Sequence, residues 1–495
     1  MQLNREKIQK TVTVSWPFLI LALYILLNSI LILHHENWRD EAQAWQIAKQ
    51  LSLPDIFRQL KYEGHPCLWY LILFPFAKLG FPFGCIGFIS LFFMAIAVWL
   101  ILKKAPFCIL VKVLLVFSPF FVYYYPVISR SYCLIPPLLA WLAALYPRRK
   151  EKPLWYGAAL ALLTQTHIFM IGLSFLLSFS WFMETVFVWR KEKTGHKLPV
   201  QNIQGLGISL ASGLFLIWEL LGSATTNASV DVHISSSLSS NLHRINVASQ
   251  WGMDELLKMG VDDPTWKILR LLLVAGAVVL LFYSWKEASI YIGTSVMQVL
   301  MFAYIYLASP QKAMLLAHGL VFVLWIIMEE KKEVRMWKWF WQLALAVLAL
   351  MATNGHKPLI LNDMDQAYSS SKEMAAYIRE HVPEDVPLIA ASDIAVEAAA
   401  AYLPERVIWY PITENAVTFL VWDGVRTGSI TYEEMLERVK KQYPDAKEIY
   451  FLCGEENNVS GWEEQLPQMQ ELVRMEGNAS NESAVLYYIQ MPVSK

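Results

Sequence analysis

The sequence predicts a polytopic, mainly α-helical membrane protein that ends in an α/β domain. Of its 495 residues, 56% are hydrophobic and only 17% are charged, whereas ordinary soluble domains carry roughly 25% charged residues. The apolar residues form runs that approach the roughly 20 residues a helix needs to cross a hydrocarbon core. From about residue 355 the composition becomes mixed, and apolar runs alternate with helical patterns, which is typical of α/β layers.

About eleven apolar runs are predicted to span the membrane. They lie near residues 15–33, 84–102, 105–125, 131–146, 154–167, 169–189, 200–221, 265–285, 288–307, 313–328 and 337–353. Lys and Arg clusters, which favour the cytoplasmic side, fall in alternate connections and place the N-terminus in the cytoplasm. Residues 66–80 are apolar but short, so we expect them to dip into the membrane or lie at its surface. Residues 1–354 then form the membrane domain, and residues 355–495 lie outside the cytoplasm.

The first outer loop, residues 34–65, is predicted to form two short helices on the outer leaflet. Apolar residues recur at helical spacing on both sides of Pro54, and a proline suits the first turn of a helix. Amphipathic helices of this kind lie on membrane surfaces. The loop therefore holds its polar residues near the lipid head groups.

The C-terminal domain is predicted to alternate strands with helices. Strands are expected at 386–391, 406–410, 418–422, 447–452 and 484–490, and helices near 366–381, 393–402, 431–442 and 462–475. No Gly-rich phosphate loop opens these helices in the sequence, so no nucleotide site is indicated. The net charge of −1 argues against a nucleic-acid partner.

The acidic pair Asp40-Glu41 stands just after the first span, in the outer loop. Ionisable groups at a membrane indicate function, and a carboxylate there can accept the proton of an attacking hydroxyl. Adjacent residues on a helix point about 100° apart, so one of the two faces a given site. The alternative is an exposed helix N-terminus, where the helix dipole favours acidic residues.

Five further residues on the predicted outer side are candidates for substrate binding. Glu63 and His65, together with His167, can bind a phosphate or a divalent metal, but two histidines about a hundred residues apart do not assign a metal. Arg130 suits bidentate phosphate recognition, and Lys312 has the same interpretation. The alternative for both cations is an interfacial side chain that reaches up to water. Together they predict a clamp for an anionic lipid head group.

Several short motifs carry a resemblance to a known family. They are Arg39-Asp40-Glu41, the segment E-G-H-P-x-L-W-Y from Glu63 to Tyr70, Ser118-Pro119-Phe120-Phe121, Ser129-Arg130-Ser131-Tyr132 and Thr166-His167. The chain resembles the multi-span glycosyltransferases of the C-type fold (GT-C), which include bacterial relatives of protein O-mannosyltransferases and the lipid A aminoarabinose transferases. The motifs lie within the first ~170 residues, and Cys67 stands where the family has a second proline.

The resemblance implies an inverting glycosyltransferase that uses a polyprenyl-phosphate-linked sugar and an extracytoplasmic acceptor. Because the leaving phosphate is anionic from the start, no cofactor is obligatory, and a divalent metal is left open. It implies that Asp40 is the catalytic base, with Glu41 as its neighbour. His65 corresponds to a group near the lipid phosphate, and Arg130 and His167 correspond to outer basic positions.

A transporter or flippase for a lipid-linked saccharide is the alternative function. It would hold a phosphate with the same charges, but a translocation path needs polar groups deep in the membrane. Here the charged residues mark the outer loops, with Glu184 and Glu219 near predicted span ends as the nearest exceptions. A membrane scaffold that displays the α/β domain is a third possibility, and it leaves the clustered outer charges unexplained.

Overall fold

Helices form most of the chain, and a small sheet lies near its C-terminus. The computed structural model describes residues 2–191, 199–220, 235–260, 265–331, 335–390, 396–421, 430–454, 469–478 and 482–491. Its helices are α1 (Gln2–His34), α2 (Arg39–Gln50), α3 (Leu53–Glu63), α4 (Leu68–Lys78), α5 (Cys85–Lys104), α6 (Ile109–Val116), α7 (Ile135–Leu145), α8 (Pro153–Thr164), α9 (Ile171–Lys191), α10 (Val200–Leu220), α11 (Leu238–Leu257), α12 (Thr265–Tyr283), α13 (Trp285–Tyr304), α14 (Pro310–Glu330), α15 (Arg335–Asp365), α16 (Ser371–His381), α17 (Glu397–Tyr402) and α18 (Tyr432–Gln442).

Six helices in the described ranges are long and apolar enough to cross a membrane. These segments are Trp16–His34, Cys85–Lys104, Ile168–Lys191, Val200–Leu220, Pro310–Glu330 and Met336–Asp365, and shorter apolar helices occur at Leu68–Lys78, Pro153–Thr164 and Leu271–Tyr283. The prediction of a mainly α-helical, multi-pass membrane protein is confirmed. The count of about eleven crossings and the orientation of the termini stay predictions.

The span predicted at 105–125 is helical only in α6, and the chain then runs irregularly to residue 130. Pro119 has no N–H to donate to a helix, which explains why helical structure does not continue. Irregular backbone is tolerated at membrane depth only where protein surrounds it and satisfies its polar groups. Here the buried Tyr24 hydroxyl of α1 donates to the carbonyl oxygen of Phe121 at 2.7 Å.

The outer loop forms the two predicted short helices, α2 and α3. The side chain of Ser52 caps α3 by accepting from the Asp55 N–H at 3.4 Å, and Pro54 lies in the first turn. Gly64 ends α3 with φ +67°, and a Cβ there would come within 3.0 Å of the Tyr306 hydroxyl oxygen. Glycine therefore permits the turn that leads into His65.

The C-terminal part is an α/β layer structure, as predicted. Its sheet has the order β2-β1-β3-β5-β4, with β1 (Leu388–Ala390), β2 (Ile408–Trp409), β3 (Glu448–Gly454), β4 (Met469–Met475) and β5 (Ala484–Gln490). Strand β1 pairs in parallel with β2 and β3, whereas β5 runs antiparallel to β3 and β4. Helices α16 and α17 pack on one face and α18 on the other.

Two predicted elements of this part are wrong. Residues 418–421 are not a strand, because the chain there bonds to α2 instead of to the sheet: the Gln43 side chain pairs with both backbone groups of Leu420 at 2.8 Å. The helix predicted at 462–475 is strand β4 over 469–475, where pairing with β5 outweighs the helical pattern, and 462–468 lie outside the described residues. The boundary predicted at 354/355 falls inside α15, and the division into two domains stays a prediction.

Candidate active site

A cavity of about 380 Å³ lies where the outer loop meets residue 130 and the C-terminal part. The outer loop and the start of α4 supply most of its wall. The lining residues are Arg39, Asp40, Gln43, Ala44, Glu63, His65, Pro66, Trp69, Tyr70, Arg130, Ser131, Glu397 and Leu420. Four of the seven predicted site residues, Asp40, Glu63, His65 and Arg130, are thus brought together in one cavity.

Asp40 and Arg130 form an ion pair in this cavity. The Asp40 Oδ2 lies 2.7 Å from the Arg130 Nη1, and the side chains are 32% and 23% exposed. Asp40 occupies the first turn of α2, where the helix dipole favours a negative charge. Arg130 precedes the 3₁₀ turn Ser131–Leu134, and its guanidinium carbon lies 5.8 Å from the centre of the Tyr132 ring. A carboxylate and a cation therefore face the same cavity and remain partly accessible.

Glu41, the neighbour of Asp40, does not line the cavity. Its fully buried carboxylate accepts the backbone N–H of Ser129 at 2.5 Å and that of Trp38 at 2.9 Å. It also lies 3.3 Å from the Nε2 of His35, whose Nδ1 lies 2.9 Å from Asp363. Burial lowers the pKa of His35, but the two carboxylates outweigh it and raise the pKa to about 10.

Glu63 lines the cavity within a set of uncharged donors. The side-chain amides of Gln43 and Gln59 each donate to its Oε1 at 2.8 Å, and the Tyr70 hydroxyl lies 3.5 Å from its Oε2. Burial raises the pKa of Glu63 to about 7 in spite of these hydrogen bonds. The side chain therefore changes charge close to neutral pH and can bond a ligand hydroxyl in either form.

His65 and His167 lie against each other, with ring centres 5.3 Å apart. The Nδ1 of His65 donates to the Glu63 carbonyl oxygen at 2.9 Å, and burial, followed by the charge of Arg130, lowers its pKa to about 4. The Nδ1 of His167 accepts the Phe169 N–H at 3.3 Å, which leaves the proton of the neutral ring on Nε2. Burial also lowers the pKa of His167, and its Nε2 has no partner in the described part of the chain.

Lys312 and His167 lie outside the lining of the cavity. Lys312, near the start of α14, donates to the Leu307 carbonyl oxygen at 2.9 Å, and its Nζ lies 5.3 Å from the centre of the Tyr306 ring. Across the described ranges, no three His, Cys, Asp or Glu side chains are grouped so that they could hold a metal ion.

Sequence reasoning missed several lining residues. Gln43 stands one helical turn after Asp40, and Trp69 and Tyr70 close the motif that begins at Glu63, so their spacing carried a usable signal. Glu397 and Leu420 belong to the C-terminal part. Nothing local in the sequence marks these two, because their place in the cavity depends on tertiary packing alone.

The fold itself is similar to that of a solved enzyme. ArnT from Cupriavidus metallidurans bound to undecaprenyl phosphate superposes with a TM-score of 0.54 at 9% sequence identity, over 96% of this chain and 98% of that one. The chain has the GT-C fold. The apo form of the same enzyme matches with a TM-score of 0.51 at 10% identity, over 96% and 98% of the two chains. The GT-C resemblance predicted from the motifs is thus confirmed as a fold, while no family model and no curated protein sequence matches the chain.

Proposed function

We propose that the chain is an inverting membrane glycosyltransferase that moves a sugar from a polyprenyl-phosphate donor to an extracytoplasmic acceptor. The observation that carries this proposal is the Asp40–Arg130 pair in the cavity, 2.7 Å apart and partly open to solvent. The reaction needs a carboxylate that removes a proton from the acceptor and a cation that stabilises the departing phosphate, and this pair supplies both groups in one cavity. The GT-C fold supports the assignment, since one of the similar structures holds undecaprenyl phosphate.

In the proposed reaction Asp40 accepts the proton of the acceptor hydroxyl as its oxygen attacks the anomeric carbon. The new carbon–oxygen bond forms opposite the bond to the phosphate, which breaks and leaves its electron pair on the phosphate oxygen. The products are the glycosylated acceptor and free polyprenyl phosphate, and Asp40 returns the proton to solvent. A general base of this kind typically contributes about 10²- to 10⁴-fold to the rate.

Arg130 is proposed to bind the donor phosphate and to stabilise its growing charge. Arg130 is paired with Asp40 through its Nη1, so a phosphate competes with the Asp40 carboxylate for the same guanidinium. Donor binding then releases Asp40 for proton transfer just when a sugar is in place. The unpartnered Nε2–H of His167 is proposed to donate to the donor phosphate, the Nε2 of neutral His65 to accept from a substrate hydroxyl, and Lys312 to act as a second cation.

Glu63 is proposed to hold hydroxyls of the transferred sugar. It lies beside Gln43, which is one helical turn along α2 from Asp40, about 4.5 Å of axial rise. Glu63 and Arg130 line the same cavity, so a sugar whose phosphate lies on Arg130 is proposed to extend toward this carboxyl. We further propose that the N-terminus is cytoplasmic, that residues 1–354 form the membrane domain, and that residues 355–495 form an extracytoplasmic domain.

The deciding test is donor turnover by purified protein in lipid nanodiscs. A panel of polyprenyl-phosphate sugars is offered with and without acceptor extracts, and free polyprenyl phosphate is measured. An enzyme releases it, whereas the alternative, a flippase for lipid-linked saccharides, leaves the donor intact. We expect Asp40→Asn to lower turnover by at least about 100-fold while donor binding persists.

The matched control is Asp55→Asn, which alters a carboxylate on the neighbouring helix α3 whose side chain is 44% exposed and bonded to Arg58. Its turnover should equal that of the unaltered protein. Normal turnover by Asp40→Asn would remove Asp40 from the mechanism, and donor left intact by every preparation would remove the enzymatic function.

A further inference from the structure

A second contact, between Glu41 and Ser129, accompanies the Asp40–Arg130 ion pair of the cavity. Asp40 bonds to Arg130, and the next residue along α2, Glu41, bonds to the residue before Arg130, Ser129. The Glu41 Oε1 accepts the Ser129 backbone N–H at 2.5 Å. Two consecutive residues of one segment are thus tied to two consecutive residues of another, which fixes the separation of the segments.

The Glu41 carboxylate is itself anchored on the side away from the cavity. Its Oε2 accepts the Trp38 N–H at 2.9 Å, which completes the first turn of α2. The same oxygen lies 3.3 Å from His35 Nε2, and His35 Nδ1 lies 2.9 Å from Asp363 Oδ2. His35 directly follows α1, and Asp363 is near the end of α15, so the anchor reaches two membrane helices.

This anchor is buried and carries opposite charges. The side chains of Glu41, His35 and Asp363 are 0%, 2% and 5% exposed. The groups that face His35 are these two carboxylates and the rings of Tyr368 and Tyr123. Hydrogen-bonded charges in a water-poor site hold their geometry tightly, because separating one partner leaves the other charges buried without a partner or solvent, which costs free energy.

We propose that Glu41 is a positioning residue, which holds Ser129 and thereby sets the distance between Asp40 and Arg130, with His35 and Asp363 as its support. The inference rests on the proposed function and assigns different tasks to the two adjacent acids. Asp40 faces the cavity and takes the proton, whereas Glu41 never meets substrate. Two acids at one helix start can have separate tasks because they point about 100° apart.

Two substitutions separate positioning from direct chemistry. Glu41→Gln keeps an oxygen that accepts the Ser129 N–H, whereas Glu41→Met fills a similar volume with no such acceptor. Cryo-electron microscopy of each variant measures the distance between Asp40 Oδ2 and Arg130 Nη1. We expect about 2.7 Å in Glu41→Gln, as in the unaltered protein, and more than about 4 Å in Glu41→Met, beyond the reach of an ion pair.

Turnover supplies the second readout. A misplacement of about 1 Å costs on the order of 100-fold in rate, so Glu41→Met should lower kcat by about 100-fold. The donor phosphate is not fixed to the protein and can shift together with Arg130, so KM for the donor should change less than about threefold. Glu41→Gln should restore kcat to within about tenfold of the unaltered protein, which a group that itself takes the proton would not allow.

The control variant is Glu287→Met, which alters another buried glutamate, one that accepts from the Tyr146 hydroxyl at 3.2 Å. Its ion-pair distance and its kcat should be unchanged. An intact ion pair in Glu41→Met, or a Glu41→Gln that is folded and loses more than about 1,000-fold in kcat, overturns the proposal. If Glu41→Met does not fold, Glu41→Gln decides by the same limits.

Failure of the proposed function is recognised separately. In that case the unaltered protein releases no polyprenyl phosphate, and the positioning role is judged by the ion-pair distance alone.

Discussion

Arg130→Ala tests the phosphate site most directly, because the expected losses of affinity and of stability differ in size. A hydrogen bond to a charged group contributes about 1.5–3 kcal/mol, so we expect donor affinity to fall by about 10- to 150-fold. The Arg130 and Asp40 side chains are 23% and 32% exposed, and a pair so open to solvent contributes at most about 1 kcal/mol to folding. Donor binding should therefore suffer far more than thermal stability.

The assay measures the binding of polyprenyl phosphate to protein in nanodiscs, alongside the midpoint of thermal unfolding. Arg58→Ala is the matched control, since Arg58 is on the adjacent helix α3 with a side chain 78% exposed and 2.6 Å from Asp55. It should bind donor normally. Equal donor affinity in Arg130→Ala and Arg58→Ala would refute the phosphate role and favour the alternative, in which Arg130 is an interfacial side chain that reaches up to water.

Three further predictions concern stability. Burial raises the pKa of Glu63 to about 7 from the usual 4.5, a shift worth roughly 3 kcal/mol. The protonated carboxyl stabilises the fold below pH 4.5, and this stabilisation is lost as the pH rises through 7. The midpoint of thermal unfolding of the unaltered protein should therefore fall relative to that of Glu63→Gln over this window, and parallel curves would contradict the prediction. Gly157→Ala should lower the unfolding midpoint, because a Cβ there would come within 2.2 Å of the Gly205 carbonyl oxygen, whereas Gly207→Ala, with nothing within 4 Å, should not. Arg149→Ala should cost about 1.5–3 kcal/mol, since the buried Arg149 bonds to two glutamates whose side chains are 25% and 31% exposed, and unchanged donor affinity in that variant would show that the loss is structural.

The sequence predicted those parts of the fold whose patterns are local. Helices α2 and α3 follow from apolar spacing around Pro54, and the layered C-terminal part follows from alternating runs. The irregular stretch after Val116 is not predicted because its sequence is as apolar as that of a spanning helix. Buried side chains such as Tyr24 bond to its backbone in place of helical hydrogen bonds, and the local sequence does not show this. Strand β4 escaped because its sequence suits a helix and only pairing with β5 decides otherwise.

The site was predicted in part for the same reason. Asp40, Glu63, His65 and Arg130 were grouped because all fall on the predicted outer side, and the structure places them in one cavity. The choice of Asp40 over Glu41 came from the family resemblance and not from the residues themselves, because it depends on the contacts of Glu41 with Ser129 and His35. These contacts join residues up to 88 positions apart, and no local pattern encodes them.

The distribution of charge along α14 favours a reaction at one face of the membrane over transport through it. Lys312 lies near the start of this helix, and Glu330 ends it, bonded to Arg149. Lys312 and Glu330 are 18 positions apart, which is roughly 27 Å of helix. Between Lys312 and Glu329 the sequence of α14 has no Asp, Glu, Lys or Arg, and nearly all of its side chains are buried among other helices. The one polar side chain there, His318, is bonded to the Phe120 carbonyl oxygen at 2.9 Å. A carrier of an anionic lipid head group needs polar groups along that depth, whereas a transferase needs them only at the face where donor and acceptor meet.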